Sequence, residues 1–330
     1  MARQCRPSLS YDCSKLQAVA SGAQLKHLVE ANKVLNRAIE SSEEKLFFKA
    51  KAFDWNKAVL VTVSDASWAG ETLIIDDKIF PRRSQRGRVT FLAEAGIWSG
   101  NKAVVHPVGW KSKILTRTCR STMQAETQSM THGTEEGVKI RAAIADARGL
   151  QDKKHWEASS AASLKHLWLT DCESLHSHLN NPVSVSVEDK RLETELEALR
   201  QSLWEDLAGD PKDNLSEDDP DRVRWIDTST MVADPLTKRM KADRLVETLA
   251  TGVLSLEPTP ESILAKMAKQ KARKRTEAVG EEEEMESYGL LETKVKESVE
   301  TASTQSAVAK TMKVAVKKKG SLHADRVKSV

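Results

Sequence analysis

The 330 residues read as an α/β chain, a mixed sheet of five strands with helices packed against it. Three observations lead there. Between about 55 and 107 the apolar pattern has a period of two and gives three candidate strands, AVLVTVSD, RVTFLAEA and KAVVHPV, set apart by Gly-, Pro- and Arg-rich turns. Two further alternating runs, LKHLWLTD and RVRWIDT, are interleaved with helical stretches. Beyond about Pro258 the composition changes to charge blocks such as KMAKQKARKR, GEEEEMES and KVAVKKKG, in which only Tyr288 is aromatic, and such blocks stay solvated. The chain therefore divides into a helical segment over 1–50, a sheet domain over 51–250 and a disordered charged tail over 251–330.

The first segment places Leu25, Leu28, Val34, Leu35 and Ile39 at spacings near three and four, an amphipathic helix too short to fold alone. From Ser121, the run Ser-Thr-Met-Gln has capping-box spacing and opens a helix interrupted by Gly133 and Gly137. A polar gap at 150–163 separates it from LKHLWLTD. A short helix and then the long amphipathic run EDKRLETELEALRQSLWEDL follow. The acidic loop GDPKDNLSEDDPD precedes the last strand, and a final helical run reaches about residue 250.

With 39% hydrophobic residues the chain can build a core, and no apolar run approaches the roughly 18 residues of a membrane span. Nor does the start show the apolar segment of a signal peptide, so a cytoplasmic or nuclear location without membrane contact is expected. Cys5, Cys13, Cys119 and Cys172 are scattered, which points to neither a disulfide framework nor a zinc knot. The net charge of +3 leaves 51 basic residues nearly balanced by 48 acidic ones, so placement matters more than the sum.

Four carboxylates stand at the ends of these elements. Asp65 shares strand parity with Val59, Val61 and Val63, and Asp171 follows Leu167 and Leu169 in the same way. Glu126 lies on one helical face with Met123 and Met130, and Asp234 follows the last strand closely. Each has an ordinary reading as well. Asp171 and Asp234 fit helix N-caps, the latter with Pro235 behind it, while Asp65 suits a turn and Glu126 a first helical turn. If all four meet at one sheet edge, their mutual repulsion calls for a strong cation, and hard Mg²⁺ with oxygen ligands answers it. Two such ions about 4 Å apart can hold both the attacking and the leaving oxygen of a phosphodiester.

The strings SDASWAGE, RRSQRGRVTFL, STMQAETQSM, LWLTDCESLHSHLNNP and WIDTSTMVADPLTKRM, in that order, resemble the ribonuclease H domain of copia-type LTR retrotransposon polyproteins. The upstream RPSLSYDCSKLQ and ANKVLNRAI resemble the segment that joins reverse transcriptase to that nuclease, so the resemblance spans roughly residues 5 to 250. It implies a ribonuclease H-like fold and metal-dependent endonucleolytic hydrolysis of RNA in RNA-DNA hybrids. Asp65, Glu126, Asp171 and Asp234 match its catalytic metal ligands. Asp65 would bridge two Mg²⁺ ions, for which Mn²⁺ can substitute, with Glu126 and Asp171 on the leaving-group side and Asp234 on the water side. Ser67, Gln124 and Thr127 depart from the pattern without removing a ligand, and no Tyr-x-Asp-Asp of a polymerase palm is present. A reverse transcriptase moiety encoded elsewhere is an implied partner. The alternatives are an inactive retrotransposon remnant that binds nucleic acid, or an interaction protein docking through its 187–207 helix and tail.

For the hybrid itself, Lys111, Lys113, Arg117 and Arg120 form a basic run before the long helix, with Ser121 and Thr122 placed to reach sugar hydroxyls. A second run, Arg82, Arg83, Arg86 and Arg88, is expected on a turn. Lys271–Arg275 and Lys317–Lys319 suit non-specific nucleic-acid binding or nuclear import.

Overall fold

The computed structural model describes residues 6–76, 78–100, 102–180, 187–205 and 221–258; most of the acidic loop and the charged tail with its basic runs lie outside them. Period-two segments form β1 (Val59–Ile75), β2 (Lys78–Ala93) and β3 (Ala103–Ile114), an antiparallel meander. On the other side of β1, β4 (Lys165–Thr170) runs parallel to it, and β5 (Asp221–Trp225) runs parallel to β4. A two-residue strand, β6 (Val253–Leu254), closes the far edge, so the order is β5-β4-β1-β2-β3-β6. A three-stranded meander continued by parallel strands beside its first member agrees with the mixed, ribonuclease H-like sheet that the resemblance implies.

Strand parity assigns the two faces. Val59, Val61, Val63, Phe91, Leu167 and Leu169 bury one face under Val232, Leu236 and the Leu245 and Leu249 side chains of α7 (Asp243–Thr251). The opposite face carries Leu60, Leu92 and Trp168. It is covered by α3 (Thr122–Ala147), α5 (Glu173–Asn180) and α6 (Lys190–Arg200), whose Leu192, Leu196 and Leu199 follow a helical period.

Several expectations change. β1 does not end at Asp65 but runs ten residues further as a hairpin with irregular register between Ser67 and Leu73. Its partner β2 therefore holds Arg82, Arg83, Arg86 and Arg88 in a strand rather than a turn. The polar gap contains a helix, α4 (Trp156–Ser163), and among the described residues the five expected strands are joined at the edge by the two-residue β6. Leu254 and Leu256 are buried in the core beyond residue 250. The N-terminal segment lies within the compact unit Met1–Thr259. In α1 (Ser10–Ala18), the Tyr11 hydroxyl donates to Glu71 at 2.6 Å, and Gln85 donates to Ser14 at 3.1 Å. The expected N-terminal helix forms as α2 (Leu25–Glu40), and its Leu25, Leu28, Leu35 and Ile39 point away from the domain. No helix among the described residues is long and apolar enough to cross a membrane.

Two buried polar features tie α3 to the sheet. The Arg141 guanidinium grips the Asp221 carboxylate through both its terminal nitrogens, at 2.9 and 3.3 Å. Removing one partner of such a buried pair costs about 3–5 kcal/mol, because the survivor is left uncompensated. Gly137 lets α3 approach: a Cβ there would lie 2.4 Å from the His166 ring and 2.6 Å from Trp168. His166 stacks on Trp168 and hydrogen-bonds Thr62 Oγ1 at 2.9 Å.

Burial, with Arg141 adding repulsion, holds His166 well below the ordinary histidine range, so it is neutral in the fold. The unfolded chain protonates it near pH ~6.5, and below that pH it binds a proton the folded chain refuses. Stability from this residue is therefore present above ~6.5 and lost on acidification, at up to about 1.4 kcal/mol per pH unit. His166→Gln, which keeps a polar partner for Thr62, is expected to flatten the pH dependence of urea unfolding by about one proton below pH ~6. An unchanged slope would show that His166 does not carry it.

Candidate active site

Register brings the first two acids together. The last β1–β4 pair is Val63 with Leu169, so Asp65 and Asp171 each stand two residues further on, with side chains on the same face. β4 stops at Thr170, while β1 continues against β2, where Asp65 pairs with Gly87. Asp234 arrives from a 3-10 turn, Asp234–Leu236, beyond β5. Carboxylate oxygens of Asp65, Asp171 and Asp234 all lie within 4.8 Å of one another. Asp65 and Asp234 are buried and Asp171 half-buried.

Glu126 comes from the opposite layer. Ser121 caps α3 by accepting the Gln124 N–H at 3.1 Å, and the Gln124 side chain accepts the Arg120 N–H at 2.8 Å. The cap fixes the first turn, and Glu126 in the second turn reaches the sheet, where Oε1 accepts the Ala66 N–H at 3.0 Å. Its other oxygen, Oε2, is buried and has no hydrogen-bond partner among the described residues. A buried acceptor without a donor is rare in folded proteins, and here it sits beside a cluster of three carboxylates. That donor set fits a hard divalent cation, which takes oxygen ligands.

Electrostatics follow from burial first and crowding second. Burial raises the pKa of Asp65, to about 7, against the opposing pull of Lys238; Asp234 and Asp171 push it further up. Asp171 is raised by burial and by Asp234, with a hydrogen bond from Thr228 working the other way. Glu126 is raised well above the usual range by burial, then by Asp65. Two groups answer this charge. The Thr237 hydroxyl donates a short hydrogen bond to Asp65 Oδ2. The Lys238 ammonium lies 2.5 Å from Asp234 Oδ1 and 3.7 Å from Asp65 Oδ2. Burial opposes the charge on Lys238, but the carboxylates outweigh it and hold its pKa above the ordinary value. Neither residue was anticipated from sequence, although the spacing of Asp234 and Lys238, four apart within ADPLTK, is the signal that points to the pair.

Of the basic run, Lys111 and Lys113 lie on β3 rather than in a connection, opposite Arg88 and Arg86. They flank Ser112, which is level with Gly87 and so two strands, about 10 Å, from the Asp65 backbone. Arg117 and Arg120 follow the strand and pair with Glu195 and Asp189 of the α6 region at 3.6 and 3.5 Å. The arginines of both pairs are exposed, and surface pairs contribute little to stability. The Ser121 oxygen is engaged as a cap, while Thr122 is exposed.

Gly87 makes the convergence possible. A Cβ at this position would lie 2.6 Å from Thr237 Cγ2 and 2.7 Å from Leu236 Cβ, so only glycine lets the Asp234–Lys238 segment close over Asp65. Gly87→Ala is expected to destabilise the chain by about 1–3 kcal/mol in urea unfolding, the usual range for overpacking. A loss below ~0.5 kcal/mol would show that the segment yields freely.

No protein-family model matches the sequence, and no curated protein matches it. Solved structures do. The N-terminal RNase H domain of rv2228c from Mycobacterium tuberculosis, solved as a fusion with maltose binding protein, is 13% identical, with 58% of this chain and 98% of that one covered at a TM-score of 0.32. LC11-RNase H1 in complex with RNA/DNA hybrid is 13% identical over 56% of this chain and 99% of that one, TM-score 0.34. The foamy viral protease-reverse transcriptase in complex with RNA/DNA hybrid is 14% identical over 62% of this chain and 21% of that one, TM-score 0.32.

Proposed function

We propose that this chain is a copia-type retrotransposon ribonuclease H that hydrolyses the RNA strand of RNA-DNA hybrids. The observation that carries the reading is the meeting of Asp65, Asp171 and Asp234 within 4.8 Å, with an unpartnered buried oxygen of Glu126 beside them. These four side chains would hold Mg²⁺ or Mn²⁺. Bound divalent cations supply an acidified water and neutralise charge on the phosphodiester, so no histidine base is required. The chain's own contribution is positioning. The Ala66 N–H orients Glu126 and the Thr237 hydroxyl orients Asp65. Lys111 and Lys113 are suited to phosphate, and Thr122 to a sugar hydroxyl that distinguishes RNA from DNA. A reverse transcriptase moiety would act as the partner that presents the hybrid.

One observation favours a second reading, an inactive remnant that retains nucleic-acid binding. The Lys238 ammonium already contacts two of the acids, and a cluster neutralised from within has less need of a cation. Calorimetric titration with Mn²⁺ separates the two. If cation and ammonium share the site, Lys238→Met binds Mn²⁺ about tenfold more tightly, a difference of ~1.4 kcal/mol. Absence of Mn²⁺ binding in both forms would favour the remnant.

The decisive assay is cleavage of a labelled RNA-DNA hybrid by the purified chain with Mg²⁺ or Mn²⁺. Asp65→Asn and Asp171→Asn are each expected to reduce cutting at least ~10³-fold while leaving the fold intact, since a ligand in a metal site acts through the whole set. Undiminished cutting by either variant would remove that residue from the site.

A further inference from the structure

The outward face of α2 is regular in a way that a solvated helix does not require. Leu25, Leu28, Asn32, Leu35 and Ile39 follow one another at intervals of three, four, three and four, the heptad spacing of a two-stranded coiled-coil seam. All five are exposed, Leu25 by 77%, Leu28 and Leu35 by 59% and Ile39 by 63%. The other side of the helix is already committed. Arg37 pairs with Asp12 at 2.7 Å, and Arg239 with Glu30 at 3.0 Å, which holds α2 on the domain with its apolar stripe free.

We infer that α2 is a homodimerisation helix, and that its occupant is the α2 of a second copy of this chain. The polar residue selects that occupant. In a helix pair of this spacing, a lone asparagine among leucines is stabilised when it meets a second asparagine, and a two-fold axis through the seam sets Asn32 against Asn32. An arbitrary apolar partner would leave its amide unsatisfied. The flanking positions carry Val29, Ala31, Asn36 and Ala38, so no like charges oppose a second copy.

Size agrees. With Val29, the stripe offers on the order of 500 Å² of apolar surface per copy, and two copies reach the roughly 1,000 Å² of a specific but modest contact. Sixteen residues are marginal for a free helix, but α2 is held in place beforehand and little ordering remains to be done on association.

Sedimentation equilibrium of the full chain across a range of concentrations tests this. A reversible monomer-dimer equilibrium is expected, with Kd on the order of micromolar. Leu28→Glu combined with Leu35→Glu should weaken it at least tenfold without lowering the melting temperature of the monomer, since both positions are exposed. Asn32→Ile should tighten association and relax its limit to two chains. A wild-type chain that stays monomeric to about 100 μM, or a dimer indifferent to the Leu28→Glu, Leu35→Glu pair, would overturn the inference. Hybrid cleavage plays no part in this readout, so the two proposals fail independently.

Discussion

Like charges held a few ångströms apart in a dry place repel strongly, and the arrangement around Asp65 is the fold's answer to that repulsion. In water two carboxylates 4 Å apart repel by about 1 kcal/mol, and near a protein surface by about 4. Three aspartates within 4.8 Å and a glutamate beside them can persist only with donors and cations directed at them. The Ala66 N–H, the Thr237 hydroxyl and the Lys238 ammonium supply part of this. Burial first, and the neighbouring acids after it, still raise the proton affinity of Asp65, Asp171 and Glu126. Positive charge placed among the three aspartates, with Glu126 beside them, would relieve the repulsion that remains.

Bringing three aspartates from three segments to one point, with Glu126 of α3 beside them, also demands close backbone approach. Gly87 admits the Asp234–Lys238 segment above β2, and Gly137 admits α3 onto β4. Each is a point where one added carbon meets a neighbouring side chain at under 3 Å. The Arg141–Asp221 pair then fixes the far side, tying α3 to the edge strand β5 whose continuation carries Asp234. Positioning of the acids thus depends on packing well away from them.

The two faces of α2 express a different balance. Its polar side is held to the domain by ion pairs, while its leucines remain in water. An isolated domain has no use for such an orientation, since burying the leucines would stabilise it by about 1.5–3 kcal/mol each. The orientation becomes economical once a second surface covers them.

Sequence by itself determined the alternating strands, the capped helix at Ser121 and the identity of four candidate acids, because period, capping chemistry and residue order are local or linear properties. It also placed Asp65 and Asp171 on the buried parity of their strands, and the β1–β4 register bears out that parity. What only the tertiary structure decided was what meets what. The continuation of β1 past Asp65 depends on pairing with β2, which supplies hydrogen bonds that a turn would have forfeited. The direction in which the α2 leucines point is invisible to periodicity, which reports that a stripe exists and not which side the domain takes. Lys238 enters the site because a 3-10 turn folds it back over Asp234 and onto Asp65, an acid 173 positions earlier in the chain. Contacts between residues so far apart in sequence are fixed by the packing of β1, β2 and the final segment, and no pattern along the chain encodes them.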